Sequence, residues 1–480
     1  MNFIISFISA KETLKIAWEV LYFATIVSAV VVVISANRNP VKSISWILIL
    51  IFLPFLGLIF YFFFGQDIRR RYLPRKEIKK LRELNSGRNL FGKAPEVKPE
   101  YDRLVKLYDR NLYPLLSRNS IRIFTSGKEK FETLFEDLRN AENHIHLEYY
   151  IFSDDEIGQT VKNILIEKAQ NGVEVRVIYD DVGSWHTKKR FFRELTDGGV
   201  EVYSFLKVHF PSFTGKMNYR NHRKIVIIDG LIGYIGGMNI ASRYISGTPW
   251  GGSWEDMHVR IDGESVLGLQ IIFLIDWSLA ENSFLSDKKY FPTSKNTGNI
   301  NTQVVAGGPT SRWKEILQGF LKAITGARKY AYIQTPYFLP TETLLMALQL
   351  AATSGVDVRL MVPEKSDSIF IRAATHSFIK EVLKMGVKIY FYRTGFLHSK
   401  MMVIDDYFST IGSTNMDFRS FEHNFEANVF IYDEGIAEML KNKFLDDISR
   451  SERITLHQWE KRPRMQKFFE SVVRLFSPLL

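Results

Sequence analysis

The 480-residue chain contains no cysteine, so disulfide bonds and thiolate-ligated metal sites are both excluded. It also lacks the two glycine-rich phosphate-binding motifs, G-x-x-x-x-G-K-[ST] and a G-x-G-x-x-G that follows a strand. The acidic pairs Asp154-Asp155, Asp180-Asp181 and Asp446-Asp447 have no histidine at ligand spacing. We therefore predict that the protein uses no metal, no nucleotide and no other cofactor.

A formal net charge of +11 favours a polyanionic partner, either a nucleic acid or an anionic membrane. Two apolar runs near the N-terminus favour the membrane. Residues 16–36 contain only one charged residue, Glu19, and residues 44–64 contain none. Each run would span roughly 30 Å as a helix, the thickness of the bilayer hydrocarbon. We predict a two-helix transmembrane hairpin over 1–64, rather than a signal peptide and a core helix, and no nucleic-acid partner.

The segment that follows the apolar runs is strongly basic. Between residues 65 and 90, nine lysines and arginines outnumber three acidic residues. The positive-inside rule places such a segment on the cytoplasmic side, so with two spans the rest of the chain lies there as well. We interpret 65–114 as a basic juxtamembrane linker. It can bind anionic headgroups, or it can act as a topology signal without lipid specificity.

Beyond residue 120 the sequence repeats itself. GVEVRV at 172–177 corresponds to GVDVRL at 355–360, and each follows a helical stretch. A second helix–glycine–strand pattern follows in both copies. Such an alternation predicts an α/β fold with a parallel or mixed sheet covered by helices. Because a polar stretch at 286–301 separates the copies, we predict two tandem domains with pseudo-twofold symmetry, over 115–285 and 302–480.

Each copy contains the same short motif, NHRKIVIIDGLIGYIGGMN in the first and LHSKMMVIDDYFSTIGSTN in the second. A single H-x-K-x4-D is weak, but two copies in register at the same place of a repeat are specific. A purely structural role would not require a histidine and a lysine at strand spacing in both copies. The matching residues are offset by 176 positions: His222, Lys224, Asp229, Gly236 and Asn239 against His398, Lys400, Asp405, Gly412 and Asn415.

Residues two apart on a strand face the same way, so the histidine and lysine of each motif project to one side. If the repeats pack face to face, both pairs converge on one pocket that suits a phosphodiester. One imidazole can attack phosphorus while the other transfers protons. The lysines, Asn239 and Asn415 can stabilise the phosphate oxygens. For Asp229 and Asp405, at strand ends, we expect turn formation and hydrogen bonding rather than direct catalysis.

The two copies also match downstream, where DMHVRIDG at 256–263 corresponds to EANVFIYD at 426–433. Asp256 and Glu426 begin these predicted strands. A carboxylate that accepts a hydrogen bond from an imidazole fixes its tautomer and stabilises its charged form. Each carboxylate is thus expected to orient one catalytic histidine, within its own repeat or across the repeat interface. A surface carboxylate at a strand start is the alternative that the sequence leaves open.

The doubled H-x-K-x4-D followed by G-G/S-x-N resembles the phospholipase D superfamily. The N-terminal helices, NYRNHRKIVIIDG, IQTPYFLP, GFLHSKMMVIDD and NMDFRSFEHNFEANVFIYD are similar to bacterial cardiolipin synthases over essentially the whole chain. The resemblance implies a multi-pass enzyme of the bacterial inner membrane with cytoplasmic catalytic domains. Such an enzyme condenses two phosphatidylglycerol molecules into cardiolipin and releases glycerol. A phospholipase D-type hydrolase or another phosphatidyltransferase would share the motifs; a nuclease or a membrane scaffold fits them less well.

The resemblance also implies roles for individual residues. His222 is expected to be the nucleophile that forms a phosphohistidine and His398 the acid and base, although the residues themselves allow the reverse. Gly237 stands where the second copy has Ser413, so a hydroxyl contact to phosphate is expected from one half only. Four further residues are expected near the pocket: Tyr219, Arg220, Tyr337 and Arg419.

Near the C-terminus, apolar residues recur at helical spacing, which predicts an amphipathic helix. Two uses of its apolar stripe remain open, an interfacial helix on the membrane or packing against the catalytic domain. The stripe consists of Met465, Phe468, Phe469, Val472, Val473 and Phe476.

Overall fold

The computed structural model describes residues 2–35, 40–53, 56–57, 60–61, 95–109, 113–207, 218–281, 283, 285–294, 298–311 and 313–477. The chain divides into two compact units. The first comprises Met1–Ile68 with Val208–Asn218, and the second comprises Arg69–Lys207 with Tyr219–Leu480.

The first unit contains two apolar helices, α1 (Asn2–Ser35) and α2 (Pro40–Phe52). Within α1, Lys15–Ser35 is long and apolar enough to cross a bilayer. Its large apolar side chains, such as Trp18 and Phe23, are exposed. Among the described residues it is the one helix that meets this length criterion. The predicted hairpin is therefore not confirmed: α2 ends at Phe52, and part of the second predicted span lies outside the described residues, as does the basic segment 65–94.

The second unit contains a mixed sheet of 15 strands and two small two-stranded sheets. The strands of the first repeat are β1 (Leu116–Phe124), β2 (His144–Tyr149), β3 (Glu174–Asp180), β4 (Glu201–Phe205), β5 (Lys224–Ile228), β6 (Ile232–Gly236), β7 (Ser253–Glu255) and β8 (His258–Gly263). Those of the second are β9 (Ile300–Gly307), β10 (Tyr330–Gln334), β11 (Phe338–Leu339), β12 (Asp357–Pro363), β13 (Lys388–Tyr392), β14 (Gly395–Leu397), β15 (Met401–Ile404), β16 (Phe408–Gly412), β17 (Met416–Asp417), β18 (Glu426–Tyr432) and β19 (Ser451–Ile454).

Helices alternate with the strands, as the sequence predicts. They are α3 (Asp102–Asp109), α4 (Gly127–Arg139), α5 (Glu156–Gln170), α6 (Lys189–Asp197), α7 (Arg243–Ser246), α8 (Val266–Glu281), α9 (Glu315–Gly326), α10 (Glu342–Thr353), α11 (Ile369–Lys384), α12 (Phe418–Glu422), α13 (Glu434–Ser449), α14 (Leu456–Glu460) and α15 (Arg464–Arg474). Two short 3₁₀ helices lie at Pro99–Tyr101 and Lys288–Tyr290.

The two repeats share one continuous sheet in the order β4-β3-β2-β5-β6-β8-β1-β9-β18-β16-β15-β10-β12-β13-β19. Each half combines three parallel strands, β2-β3-β4 or β10-β12-β13, with antiparallel neighbours. The halves meet where β1 pairs antiparallel with β9. The predicted mixed α/β architecture is confirmed, whereas the boundaries 115–285 and 302–480 stay a prediction.

The last part of the predicted linker is built into the second repeat. Tyr101, Leu104 and Tyr108 belong to the same buried cluster as the helices of that repeat. The Tyr108 hydroxyl donates to the Glu315 carbonyl at 3.1 Å. Residues 95–109 therefore contribute to a core.

Each motif strand ends in a tight turn that an aspartate holds. After β5, Asp229 and Gly230 take φ values of 56° and 68°, the positive values of a type I′ turn. A side chain at Gly230 would lie 2.6 Å from Pro292. The Asp229 carboxylate accepts from three consecutive backbone N–H groups, those of residues 142–144, at 2.9, 2.7 and 2.9 Å.

The second repeat has the same arrangement after β15. Asp405 takes a φ of 53° and accepts from the N–H groups of residues 328–330 at 2.6, 2.8 and 2.9 Å. In both repeats the aspartate therefore ties the motif hairpin to the start of the neighbouring strand, β2 or β10. These hydrogen bonds fix the position of the motif hairpin relative to the neighbouring strand.

Replacing Asp229 or Asp405 with Ala should lower the free energy of unfolding by about 2–4 kcal/mol, since three N–H groups lose their acceptor and a non-glycine residue must keep a positive φ. Asn tolerates a positive φ and keeps one acceptor oxygen, so Asp→Asn at each position is the matched control. Thermal unfolding of the purified full chain followed by tryptophan fluorescence measures both. An Ala variant that unfolds at the wild-type temperature would contradict this role.

Candidate active site

The two motifs open onto one pocket of about 270 Å³. Both repeats line it, so the convergence of the two motifs is realised in the structure. The lining residues are Tyr150, Ile151, Arg220, His222, Asn239, Arg243, Tyr244, Trp254, Tyr337, Leu339, Asp367, Ile371, His398, Asn415, Asp417, Arg419 and Asn424.

The backbone around each histidine is hydrogen-bonded to the other repeat. The N–H of His222 donates to the Phe425 carbonyl at 2.9 Å, and the N–H of His398 donates to the Glu255 carbonyl at 2.7 Å. The short strand β14, which directly precedes His398, also pairs with β7 of the first repeat. Phe425 and Glu255 directly precede Glu426 and Asp256. These backbone hydrogen bonds between the repeats therefore place each carboxylate beside the histidine of the opposite repeat.

The carboxylates contact the imidazoles across the repeat interface. His222 Nδ1 lies 3.1 Å from both carboxylate oxygens of Glu426. His398 Nδ1 lies 2.6 Å from Oδ2 of Asp256. Both carboxylates are buried, so the surface alternative does not describe them. With Nδ1–H donated to a carboxylate, Nε2 is the ring nitrogen that remains for the pocket.

The two lysines lie behind the histidines and are completely or almost completely buried. Lys224 Nζ donates to the His222 carbonyl at 2.5 Å. Lys400 Nζ donates to the His398 carbonyl and lies 4.0 Å from the Asp256 carboxylate. Burial lowers the pKa of Lys224 to about 7, although Glu426 and Asp256 oppose the shift. The pKa of Lys400 is lowered for the same reason.

Burial also disfavours the charged form of both imidazoles. It lowers the pKa of His398 to about 4, with a further contribution from the positive charge of Lys400. The pKa of His222 is lowered by burial and by Lys224, against the attraction of Glu426. Burial disfavours the charged form of Glu426, yet the contacts with His222, Lys224 and Ser413 leave its pKa below the usual value. A bound phosphodiester anion would raise the pKa of both imidazoles.

Most of the remaining predicted residues reach the pocket. Arg220, Arg419 and Tyr337 line it, and the Tyr337 hydroxyl donates to Asp367 at 2.7 Å. Asn239 also lines it, with its amide held by the Ile151 N–H at 3.1 Å and by the Tyr244 hydroxyl at 3.0 Å. Among the described residues, Oδ1 of Asn415 has no hydrogen-bond partner although it is buried. Asn415 thus offers a free polar atom to a ligand.

Ser413 is placed differently from the expected phosphate contact. Its hydroxyl donates to the Glu426 carboxylate and accepts from the Ala427 N–H at 3.0 Å. A side chain at the equivalent Gly237 would lie 2.1 Å from Oδ1 of Asp256. The Gly/Ser difference therefore concerns how the two carboxylates are held, because Ser413 supports one and Gly237 makes room for the other.

Three other predicted residues lie outside the pocket lining. Asp229 and Asp405 act on the backbone, as described above. Tyr219 is buried, and its ring packs edge-on against His423 at a centroid distance of 5.4 Å. Their effect on the pocket therefore passes through the residues that they position.

Sequence reasoning missed two buried carboxylates behind the first motif. Asp180 accepts from the Asn221 N–H at 2.8 Å and lies 3.4 Å from Arg220. Glu148 accepts from the Asn221 side chain, and burial raises the pKa of both carboxyl groups. The acidic pair at 180–181 has no histidine at ligand spacing, which argues only against a metal site, and Asp180 lies at the carboxyl end of β3. The position of Asp180 at the end of this strand is the sequence signal that could have identified it as a site residue.

Three further lining residues carried no sequence signal: Tyr150, Trp254 and Asp367. The rings of Tyr150 and Trp254 lie 5.0 and 5.7 Å from His222 and His398, respectively. Within the described ranges, no group of three or more histidine and carboxylate side chains could hold a metal ion.

Comparison with known proteins agrees with the duplicated geometry. A family model described as "Cardiolipin synthase, PLD-like domain" matches the chain twice, at residues 134–266 and 320–448. A second model, "Phospholipase_D-nuclease N-terminal", matches residues 23–66.

Curated relatives match over almost their full length. The major cardiolipin synthase of Bacillus subtilis (strain 168) is 38% identical over 479 residues, which cover 97% of this chain and 99% of the relative. A cardiolipin synthase of Staphylococcus aureus (strain Mu50) is 40% identical, with 93% of each chain covered.

A solved phosphatidylserine synthase from Haemophilus influenzae Rd KW20 shares the fold. Its TM-score is 0.61 at 15% identity, with 79% of this chain and all of that chain covered. The family model and the curated relatives together show that this chain belongs to the cardiolipin synthase family of phospholipase D-like enzymes.

Proposed function

We propose that the protein is a cardiolipin synthase, which transfers a phosphatidyl group from one phosphatidylglycerol to another and releases glycerol. One observation carries the proposal, the crossed pair of imidazole–carboxylate contacts on a single pocket. Two curated relatives, from Bacillus subtilis and Staphylococcus aureus, are named cardiolipin synthase, which supports the choice of substrate.

In the first step, Nε2 of His222 attacks the phosphorus of phosphatidylglycerol. The bound phosphodiester anion favours the imidazolium form of His398. The bond between phosphorus and the headgroup glycerol oxygen breaks, and this imidazolium donates its Nε2 proton to that oxygen, which leaves His398 neutral. Glycerol leaves, and the phosphatidyl group remains on His222 as a phosphohistidine. Lys224 and Lys400 balance the negative charge that moves onto the phosphate oxygens.

In the second step, neutral His398 removes the proton from a headgroup hydroxyl of a second phosphatidylglycerol. The alkoxide attacks phosphorus, the bond between phosphorus and His222 breaks, and cardiolipin forms. Cardiolipin has two phosphodiesters, as many as the two phosphatidylglycerol molecules that were consumed. The 2.6 Å contact of His398 with Asp256 stabilises the imidazolium that this proton transfer creates. That contact supports His398 as the proton carrier and His222 as the nucleophile.

We further propose that the enzyme is integral to the bacterial inner membrane, with two spans and with the second unit in the cytoplasm. The exposed apolar surface of Lys15–Ser35 supports the first span. The uncharged run at 44–64 and the nine basic residues between 65 and 90 support the second span and the orientation.

The purified full chain with phosphatidylglycerol, and with neither metal nor nucleotide, should yield cardiolipin and glycerol in equal amounts. His222→Ala and His398→Ala should each lower turnover at least about 10³-fold, since each removes a group that takes part in both steps. Mass spectrometry of the lipid products measures this. Phosphatidic acid and glycerol without cardiolipin would mean hydrolysis and would contradict transfer.

The rate should depend on the protonation of Lys224. Because burial lowers the pKa of Lys224 to about 7, the charged amine is lost as pH rises through that value. We expect kcat/KM to fall above about pH 7. The fall in kcat should occur at higher pH, since a bound phosphate anion raises the pKa of the amine. A kcat/KM that stays constant from pH 7 to 9 would argue against a charged Lys224 in the transition state.

The cysteine-free chain allows topology to be tested with single introduced thiols. An impermeant maleimide applied to intact spheroplasts should label Asn37→Cys, which lies between the two predicted spans. Lys128→Cys, an exposed position of the second unit, should be labelled only after permeabilisation. Labelling of both positions in intact spheroplasts would indicate a single span and an external second unit.

A further inference from the structure

The C-terminal helix α15 presents its apolar stripe outward. Of the six residues of the predicted stripe, only Val473 is buried. The other five are exposed by 37–77%: Met465, Phe468, Phe469, Val472 and Phe476. A helix that packs through its apolar stripe would bury these residues, so the packing alternative explains only one of the six.

Polar contacts fix this orientation. Glu470 is buried on the opposite side of α15, where it accepts from Arg462 at 2.6 Å and lies 3.4 Å from His376 of α11. Arg474 donates to the Glu381 carboxylate at 2.9 Å. These contacts attach the polar side of α15 to α11, and they prevent the helix from turning its apolar side inward without leaving buried charge unpaired.

The exposed apolar surface continues to the mouth of the pocket. At the start of α11, Ile369 and Phe370 are exposed by 58% and 55%, and the ring of Phe370 lies 6.5 Å from that of Phe469. The next residue, Ile371, lines the pocket, as does Asp367 just before the helix. We call this surface the apolar rim; it comprises Ile369, Phe370, Met465, Phe468, Phe469, Val472 and Phe476.

Positive charge borders the apolar rim. Residues 461–467, KRPRMQK, include four basic residues and no acidic one. Lys461 and Arg464 are exposed. Apolar side chains flanked by basic residues are the combination that binds an anionic bilayer surface, since the former enter the acyl boundary and the latter contact headgroup phosphates.

We propose that the apolar rim docks on the anionic bilayer and seats the mouth of the pocket at the headgroup layer. The proposal rests on the proposed function, because a lipid substrate explains why an apolar surface adjoins a charged pocket. A phosphatidylglycerol molecule can then present its phosphodiester to His222 while its acyl chains stay in the bilayer. The apolar rim therefore determines access to lipid in the bilayer, whereas the residues of the pocket carry out the reaction.

The variant Phe468→Ser/Phe469→Ser tests whether the apolar rim acts on access to bilayer lipid and not on the reaction itself. The full chain is reconstituted in phosphatidylcholine vesicles with either long-chain phosphatidylglycerol in the bilayer or monomeric dihexanoyl phosphatidylglycerol in solution. We expect at least a tenfold loss of turnover with the long-chain lipid and less than a twofold change with the soluble one. Equal loss on both substrates, or no loss on either, would overturn the proposal.

The matched control is Met439→Ser/Leu445→Ser on α13. These residues are exposed by 43% and 38%, and α13 packs on the strands β10, β15 and β16. The control should keep wild-type turnover on both substrates. If it loses activity on bilayer lipid as the rim variant does, general surface hydrophobicity is responsible and the proposal fails.

A second measurement does not depend on activity. Phe468→Cys, labelled with a nitrobenzoxadiazole fluorophore, should be quenched in vesicles that contain acyl-chain nitroxide lipids, and Met439→Cys should not. Absence of quenching at Phe468→Cys would overturn the proposal. It would mean that the label lies in water or against a second copy of the chain, and not in the bilayer. If wild-type protein makes no cardiolipin from either substrate, the proposed function fails, and quenching alone decides the docking.

Discussion

The pocket is organised by the contact between an imidazole of one repeat and a buried carboxylate of the other, made twice. Glu426 holds His222, and Asp256 holds His398. Removing a carboxylate from water is costly unless it is paired and hydrogen-bonded. Neither repeat alone provides both an imidazole and the carboxylate that contacts it, so the proposed chemistry requires the two halves to be joined. The continuous sheet through β1 and β9 joins them.

The remaining machinery holds these contacts at fixed positions. The strands β5 and β15 are buried throughout and begin at or just after the motif lysines. Asp229 and Asp405 attach the far ends of these hairpins to neighbouring backbone, and Asp180 with Glu148 fixes the approach to His222. Such support matters because proton transfer and in-line attack tolerate little displacement. Ser413 and Gly237 then adjust the two carboxylates differently, so the halves are similar without being identical.

Local pattern predicted the repeats, the strands and four residues that line the pocket, His222, His398, Asn239 and Asn415, because duplication doubled each weak signal. Arg220, Tyr337 and Arg419 were expected from the family resemblance alone. His222 and His398 were identified by spacing alone. The partner of each imidazole was not, since the exchange between repeats depends on backbone hydrogen bonds between distant segments, such as His222 with Phe425. The contact of the Ser413 hydroxyl with Glu426 had no sequence signal, because sequence does not show which side of a carboxylate a hydroxyl approaches. The outward stripe of α15 likewise depends on Glu470, whose burial no periodicity reveals.

The crossing of the carboxylates can be tested with a phosphatidyl ester of p-nitrophenol, a leaving group that departs without protonation. Asp256→Asn disables the support of His398, so we predict a normal burst of p-nitrophenol and an accumulated adduct on His222. Glu426→Gln disables the support of His222, so we predict a slow burst and no adduct. The adduct is located by mass spectrometry of peptides. A slow burst in Asp256→Asn with accumulation in Glu426→Gln, or an adduct on His398, would contradict the crossed arrangement and the roles derived from it.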